Sequence, residues 1–172
     1  MQREHMSPSG TRERIVRWED PAATNKVVGT RAGIEVLRAM KSGELPPPPV
    51  AMLVGFAFDE VEEGRVVMSL VPDEVHYNPL GTVHGGILAT LLDTVMGCAV
   101  HSTLGAGRGY TTLSISVNYI RAVTVATGPV VASGTIEHAG RSTAIARGTV
   151  HDAKGRLIAT AETTCMLFEA PR

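Results

Sequence analysis

The chain has 172 residues, with 16 Lys and Arg against 17 Asp and Glu, a formal net charge of −1 and 44% hydrophobic residues. This composition suits one packed domain, long enough to bury roughly 70% of its unfolded surface, and excludes a disordered or fibrous chain. The balanced charge excludes a strongly basic, duplex-coating nucleic-acid binder, and only 4% aromatic residues argue against a stacking platform for single strands.

In chain order, the first ten residues carry charge but no apolar run of the kind an export signal needs, and they read as disordered. No run of 18 or more consecutive apolar residues occurs, so no membrane span is expected. Ile34, Leu37, Arg38 and Met40 predict a short amphipathic helix over residues 32–41, with Gly43 as its stop. Pro46, Pro47, Pro48 and Pro49 then read as an extended connector that forbids helix. Residues 1–49 are thus expected to form an N-terminal arm, packed onto a domain spanning residues 50–172.

From Val50 the apolar period changes to two, which predicts strands at residues 52–59 and 65–71 joined by an acidic turn at 60–64. Residues 85–104 lack proline, and Leu88, Leu91, Leu92, Val95, Met96 and Ala99 recur at helical spacing, predicting a helix about 30 Å long. A Gly/Ala segment at 105–109 ends it. Four strand-like runs follow, at residues 110–120, 128–139, 141–151 and 157–168, with Asp152, Lys154 and Gly155 turning the chain before the last. Strict alternation in the first of these puts Leu113, Ile115, Val117 and Tyr119 on the apolar face and Thr112 on the opposite one. The order β-β-α-β-β-β-β is that of an α+β domain, an antiparallel sheet with one long helix across its apolar face.

Two features of this helix carry chemistry. Gly85 and Gly86 lie where the first N–H groups of a helix lack intrahelical partners and where the missing side chains let a ligand approach the backbone, so an oxyanion would be stabilised there. A tight turn into the helix explains the same glycines without a ligand. Asp93 is flanked by Leu91, Leu92, Val95 and Met96, where an ionised, unpaired carboxylate would cost several kcal/mol if buried. Helical spacing puts it in a row with Gly86, Thr90 and Gly97, which leaves room beside the carboxylate. His84 could act as a base, although a histidine at a helix start more often bonds the backbone, and at nine residues from Asp93 it cannot form a dyad with it in one chain. Cys98 and Cys165 belong to no zinc-type cluster and read as reduced core thiols, which points to the cytoplasm and to chemistry without metal or organic cofactor.

Asn78 through Gly86, continuing through Asp93, resembles the signature of the PaaI-type acyl-CoA thioesterases of the hotdog superfamily, and the likeness extends over residues 50–168. The resemblance implies a hotdog fold, hydrolysis of an acyl-CoA, an Asn78 amide and a Gly85 N–H on the thioester carbonyl, and Asp93 as general base or nucleophile. It also implies a hydroxyl on the following strand to place the water, the position of Thr112. A related branch carries a hydroxyl one helical turn after the acid, where this chain has Gly97. Coenzyme A phosphates need cations; Arg121, Arg141, Lys154 and Arg156 are available, and Arg141 with Ser142 in the turn at residues 139–142 resembles the family's basic turn most closely.

Distance argues for a shared site independently of the resemblance. Gly85 and Asp93 are eight residues apart, about 12 Å along a helix, whereas a general base works within about 3 Å of its target or through one water. Two antiparallel helices in a symmetric dimer would bring Gly85 and Asn78 of one chain beside Asp93 of the other. The resemblance implies the same arrangement, since hotdog thioesterases build their sites in this way and often pair dimers into tetramers. Two alternatives remain open at this level: an acyl-CoA-binding module without turnover, and an enoyl-thioester hydratase relying on His84.

Overall fold

The computed structural model describes residues 10–169; residues 1–9, most of the segment expected to be disordered, lie outside the described residues. Helix α1 (Pro21–Val28) starts on Asp20, whose carboxylate accepts the Ala22 N–H at 2.9 Å, and has Pro21 in its first turn, where a missing N–H costs nothing. Helix α2 (Gly33–Ser42) fulfils the amphipathic pattern expected at residues 32–41. It buries Val36, Leu37 and Ala39 and ends at Gly43 in the left-handed conformation.

The proline run does not forbid helix at its end. Pro49 opens helix α3 (Pro49–Val54), again in the first turn, so Met52, Leu53 and Val54 are helical rather than the start of a strand. Gly55, at φ 90°, turns the chain out of α3.

Six strands form one antiparallel sheet: β1 (Phe56–Glu62), β2 (Arg65–Leu70), β3 (Arg108–Tyr119), β4 (Val130–Ala139), β5 (Thr143–Asp152) and β6 (Leu157–Glu169). The spatial order is β1-β2-β4-β5-β6-β3, so β3 crosses to the far edge and pairs with β6. The first hairpin is tighter than the acidic turn predicted for it. β1 continues to Glu62, opposite Arg65, and only Glu63 and Gly64 make the turn.

Helix α4 (Gly85–Ser102) matches a membrane span by length and composition, yet it is seated on the sheet, with Leu91, Leu92, Val95 and Met96 all 0% exposed. Each such side chain contributes about 1.5–3 kcal/mol of burial. Its close approach depends on Gly134 and Gly148, partners across β4 and β5: a Cβ on Gly134 would lie 2.5 Å from the Val95 carbonyl oxygen. The arm docks on the other end of α4. The Gly33 N–H donates to Leu104 O at 2.9 Å, and a Cβ on Gly33 would fall 1.9 Å from the His101 carbonyl oxygen.

One irregularity positions the site. The β3–β6 register slips between Thr112 and Ser114, leaving Leu113 58% exposed. This bulge reverses the alternation expected from the sequence: Tyr110 and Thr112 face α4 before it, and Val117 and Tyr119 pack on the core and helix beyond it.

Candidate active site

The approach to α4 is fastened from several sides. His76 is buried; its Nε2–H donates to Val54 O at 2.8 Å and its Nδ1 accepts the Asp73 N–H at 3.1 Å. Burial lowers its pKa below the ordinary histidine value, so the neutral ring is favoured. The Tyr77 hydroxyl accepts the Val125 N–H at 2.8 Å, and the amides of Val83 and His84 donate to Val123 O and His76 O, both at 2.8 Å.

Between these anchors, Asn78 closes its own loop. Its Oδ1 accepts the N–H groups of Leu80 and Thr82 at 2.9 and 3.3 Å, and its Nδ2 donates to Thr82 Oγ1 at 3.0 Å. One amide hydrogen of Asn78 is left for a ligand. Leu80, at the loop tip, is 88% exposed.

His84 caps α4: its Nδ1 accepts the Gly86 N–H at 2.8 Å, the backbone role expected of a histidine at a helix start. That bond occupies the Gly86 amide. The neighbouring Gly85 N–H has no acceptor among the described residues and lies at the positive end of an 18-residue helix. Tyr119 packs across Gly85, where a Cβ would meet its ring at 3.0 Å, and donates from its hydroxyl to Gly85 O at 2.8 Å. The sequence offered no sign of this contact, because it joins positions 34 residues apart.

Gly86, Thr90, Asp93 and Gly97 form the expected row, with Thr90 Oγ1 turned back onto Gly86 O at 2.8 Å. Asp93 is half-buried and paired: Thr112 Oγ1 donates to its Oδ1 at 2.9 Å. The Thr112 position on the helix-facing side corrects the alternation argument and follows from the bulge. At Gly97 the missing side chain admits Tyr110, whose hydroxyl would lie 2.5 Å from a Cβ there. Below this row, Cys98 and Cys165 are free and buried, and burial, with a smaller contribution from Asp93, pushes the Cys98 thiol up to about 12. A thiol so protonated is a poor nucleophile. Among the described residues, no group of three or more His, Cys, Asp or Glu side chains could hold a metal ion.

The basic candidates separate. Arg121 donates to Leu157 O at the start of β6, whereas the turn of Arg141 and Ser142 lies near its end, with the Leu167 N–H on Ser142 O at 2.8 Å. The two places are about 30 Å apart along an extended strand. Arg108 braces the second by donating from Nη2 to Arg141 O at 2.8 Å. Lys154 and Arg156 belong to the β5–β6 turn, where the Asp152 carboxylate accepts both their amides and the Arg156 guanidinium.

The chain also resembles known proteins. A family model described as "Thioesterase superfamily" matches residues 80–159. A solved structure from Ralstonia eutropha, named as a thioesterase related to phenylacetic acid degradation, is 31% identical, covers 76% of this chain and 98% of its own, and has a TM-score of 0.69. A hypothetical thioesterase from Streptococcus pneumoniae, solved with coenzyme A, is 26% identical over 68% of this chain and 88% of its own, with a TM-score of 0.62. The PaaI protein of the E. coli phenylacetic acid degradation operon shares the fold at 18% identity, covering 82% of this chain and 98% of its own with a TM-score of 0.70. With the sheet, the helix laid across it and these likenesses together, the chain belongs to the thioesterase superfamily and is a hotdog-fold thioester hydrolase.

Proposed function

We propose that this protein hydrolyses acyl-CoA thioesters at two equivalent sites, each built from both chains of a homodimer. The observation that carries the reading is the Asp93–Thr112 pair at 2.9 Å on the same helix whose N-terminus holds the unpartnered Gly85 N–H. Thr112 occupies Oδ1 and leaves Oδ2 to take a proton from water. The activated water attacks the thioester carbonyl, and the Gly85 N–H of the other chain, with the remaining Asn78 hydrogen, receives the developing oxyanion. Collapse of the tetrahedral intermediate breaks the C–S bond and yields a carboxylic acid and the thiol of coenzyme A. One such donor is typically worth about 2.7–4 kcal/mol in the transition state.

The dimer reading is supported by β3, an edge strand that pairs with β6 alone among the described strands. Leu113, Ile115, Tyr119 and Ile120 are exposed along it, an apolar edge that a second copy would cover. An isologous arrangement of two α4 helices would close the gap of about 12 Å between Gly85 and Asp93. Arg141 and Ser142 are the best-braced cationic corner for the coenzyme A phosphates, while Arg121 lies near the Gly85 end. The free cysteines suit a reducing compartment, the cytoplasm. Free-thiol release from short, long and aromatic acyl-CoAs tests the reading: turnover with at least one class is expected, and none across the panel would contradict it.

A further inference from the structure

The hydroxyl of Tyr110, at Gly97 on the helix row that holds Asp93, is a polar group that the reaction above does not use. Its ring is fixed from two sides, against the bare backbone of Gly97 and beside His101 at 5.7 Å between centroids. Among the described residues the hydroxyl has no hydrogen-bond partner, and it is not sealed from solvent, since the one fully enclosed unpartnered side-chain atom there is Arg108 Nε. Burial nevertheless raises the phenol well above its ordinary pKa, so the group is a neutral O–H able to donate and accept. A tyrosine hydroxyl in such surroundings usually finds a partner.

The position of the hydroxyl limits what that partner can be. Gly97 is four residues beyond Asp93, about 6 Å along the axis, and Tyr110 is two residues from Thr112 on the same strand, about 6.6 Å. A thioester carbonyl held for attack beside Asp93 would have the hydroxyl within reach of an acyl chain that runs toward Gly97. We propose that Tyr110 is a specificity-determining residue whose hydroxyl hydrogen-bonds an oxygen on the third or fourth carbon of the acyl group, selecting hydroxy- or oxo-acyl thioesters over plain ones of equal length. This rests on the acyl-CoA reading of the site. A site with an unpaired hydroxyl disfavours an analogue that cannot satisfy it, whereas a purely apolar pocket discriminates weakly against an added oxygen.

Two readouts separate this inference from that reading. The first compares kcat/KM for hexanoyl-CoA, 3-hydroxyhexanoyl-CoA and 4-oxohexanoyl-CoA; the second compares dissociation constants for the non-hydrolysable thioethers S-hexyl-CoA and S-(3-hydroxyhexyl)-CoA. The parent protein should favour at least one oxygenated substrate about tenfold or more and bind the hydroxylated thioether more tightly. Tyr110→Phe, which keeps the ring, should bring both ratios within about twofold of unity. Gly97→Ala, which displaces the hydroxyl without altering Tyr110, should shrink them too. A parent protein without preference, or a Tyr110→Phe protein that keeps it, overturns the proposal. If no thioester is hydrolysed, the catalytic reading fails alone, and the thioether constants still decide the role of Tyr110.

Discussion

Thr112 Oγ1 and Asp93 Oδ1 are 2.9 Å apart, a hydrogen bond that ties the edge strand β3 to the middle of the central helix. It exists because a bulge at Leu113 reverses which β3 side chains face α4. The bond also orients the carboxylate, since it engages one oxygen and leaves the other free.

Replacing the carboxylate should therefore stop turnover without unfolding the chain. Asp93→Asn is expected to lose at least about a hundredfold in kcat, the scale of a missing general base, while its thermal melting stays close to the parent's. Activity within a fewfold of the parent would remove Asp93 from the mechanism.

Thr112 should behave as a positioning residue. Thr112→Val should lower kcat about tenfold with little change in KM, and Thr112→Ser should restore most of the loss, because serine supplies the same donor. Equal activity of the Val and Ser proteins would show that the hydroxyl does not matter.

The seat of α4 on the sheet predicts a stability effect remote from the chemistry. Gly134→Ala places a Cβ 2.5 Å from the Val95 carbonyl oxygen, and backbone can yield only by lifting the helix. Destabilisation of about 1–3 kcal/mol is expected, as for overpacked cores, read as a lower midpoint in urea. An unchanged midpoint would mean the helix has more freedom than the packing implies.

Much of this was legible in the sequence. The helical period from Leu88 to Ala99 located α4, and the spacing of Gly86, Thr90, Asp93 and Gly97 located the row beside the carboxylate. Helix α3 departs from the expectation because proline breaks a helix only in its interior, whereas Pro49 sits in the first turn, where its missing N–H costs nothing; α1 falls in a stretch given no element at the sequence level. Thr112 was assigned to the wrong face because periodicity counts residues and cannot register a bulge. Tyr110 and Tyr119 were not singled out for the site, since their contacts with Gly97 and Gly85 arise only when β3 crosses to the far edge of the sheet.

Two buried histidines predict how stability depends on pH. Burial lowers the pKa of both His76 and His101 from the ordinary value of 6.5. The unfolded chain therefore binds more protons in the window just below 6.5, and stability is full above that value and declines as pH falls through the folded-state pKa values. Protonating His76 would also set a donor against the Asp73 N–H that its Nδ1 now accepts. Urea midpoints measured from pH 7.5 to 5 should fall, and His76→Gln should flatten part of the slope; a midpoint that rises on acidification would contradict the assignment.

The shared site is the central claim, and complementation between chains measures it most directly. Asn78→Ala removes the side-chain donor to the oxyanion, and Asp93→Asn removes the base, so each protein alone should be nearly inactive. Unfolded and refolded together in equal amounts, they should form mixed dimers in about half the population, each with one intact site, restoring roughly a quarter of the parent activity. Mixed dimers that form and remain as inactive as their parents would contradict the account and assign Asp93 to the Gly85 of its own chain.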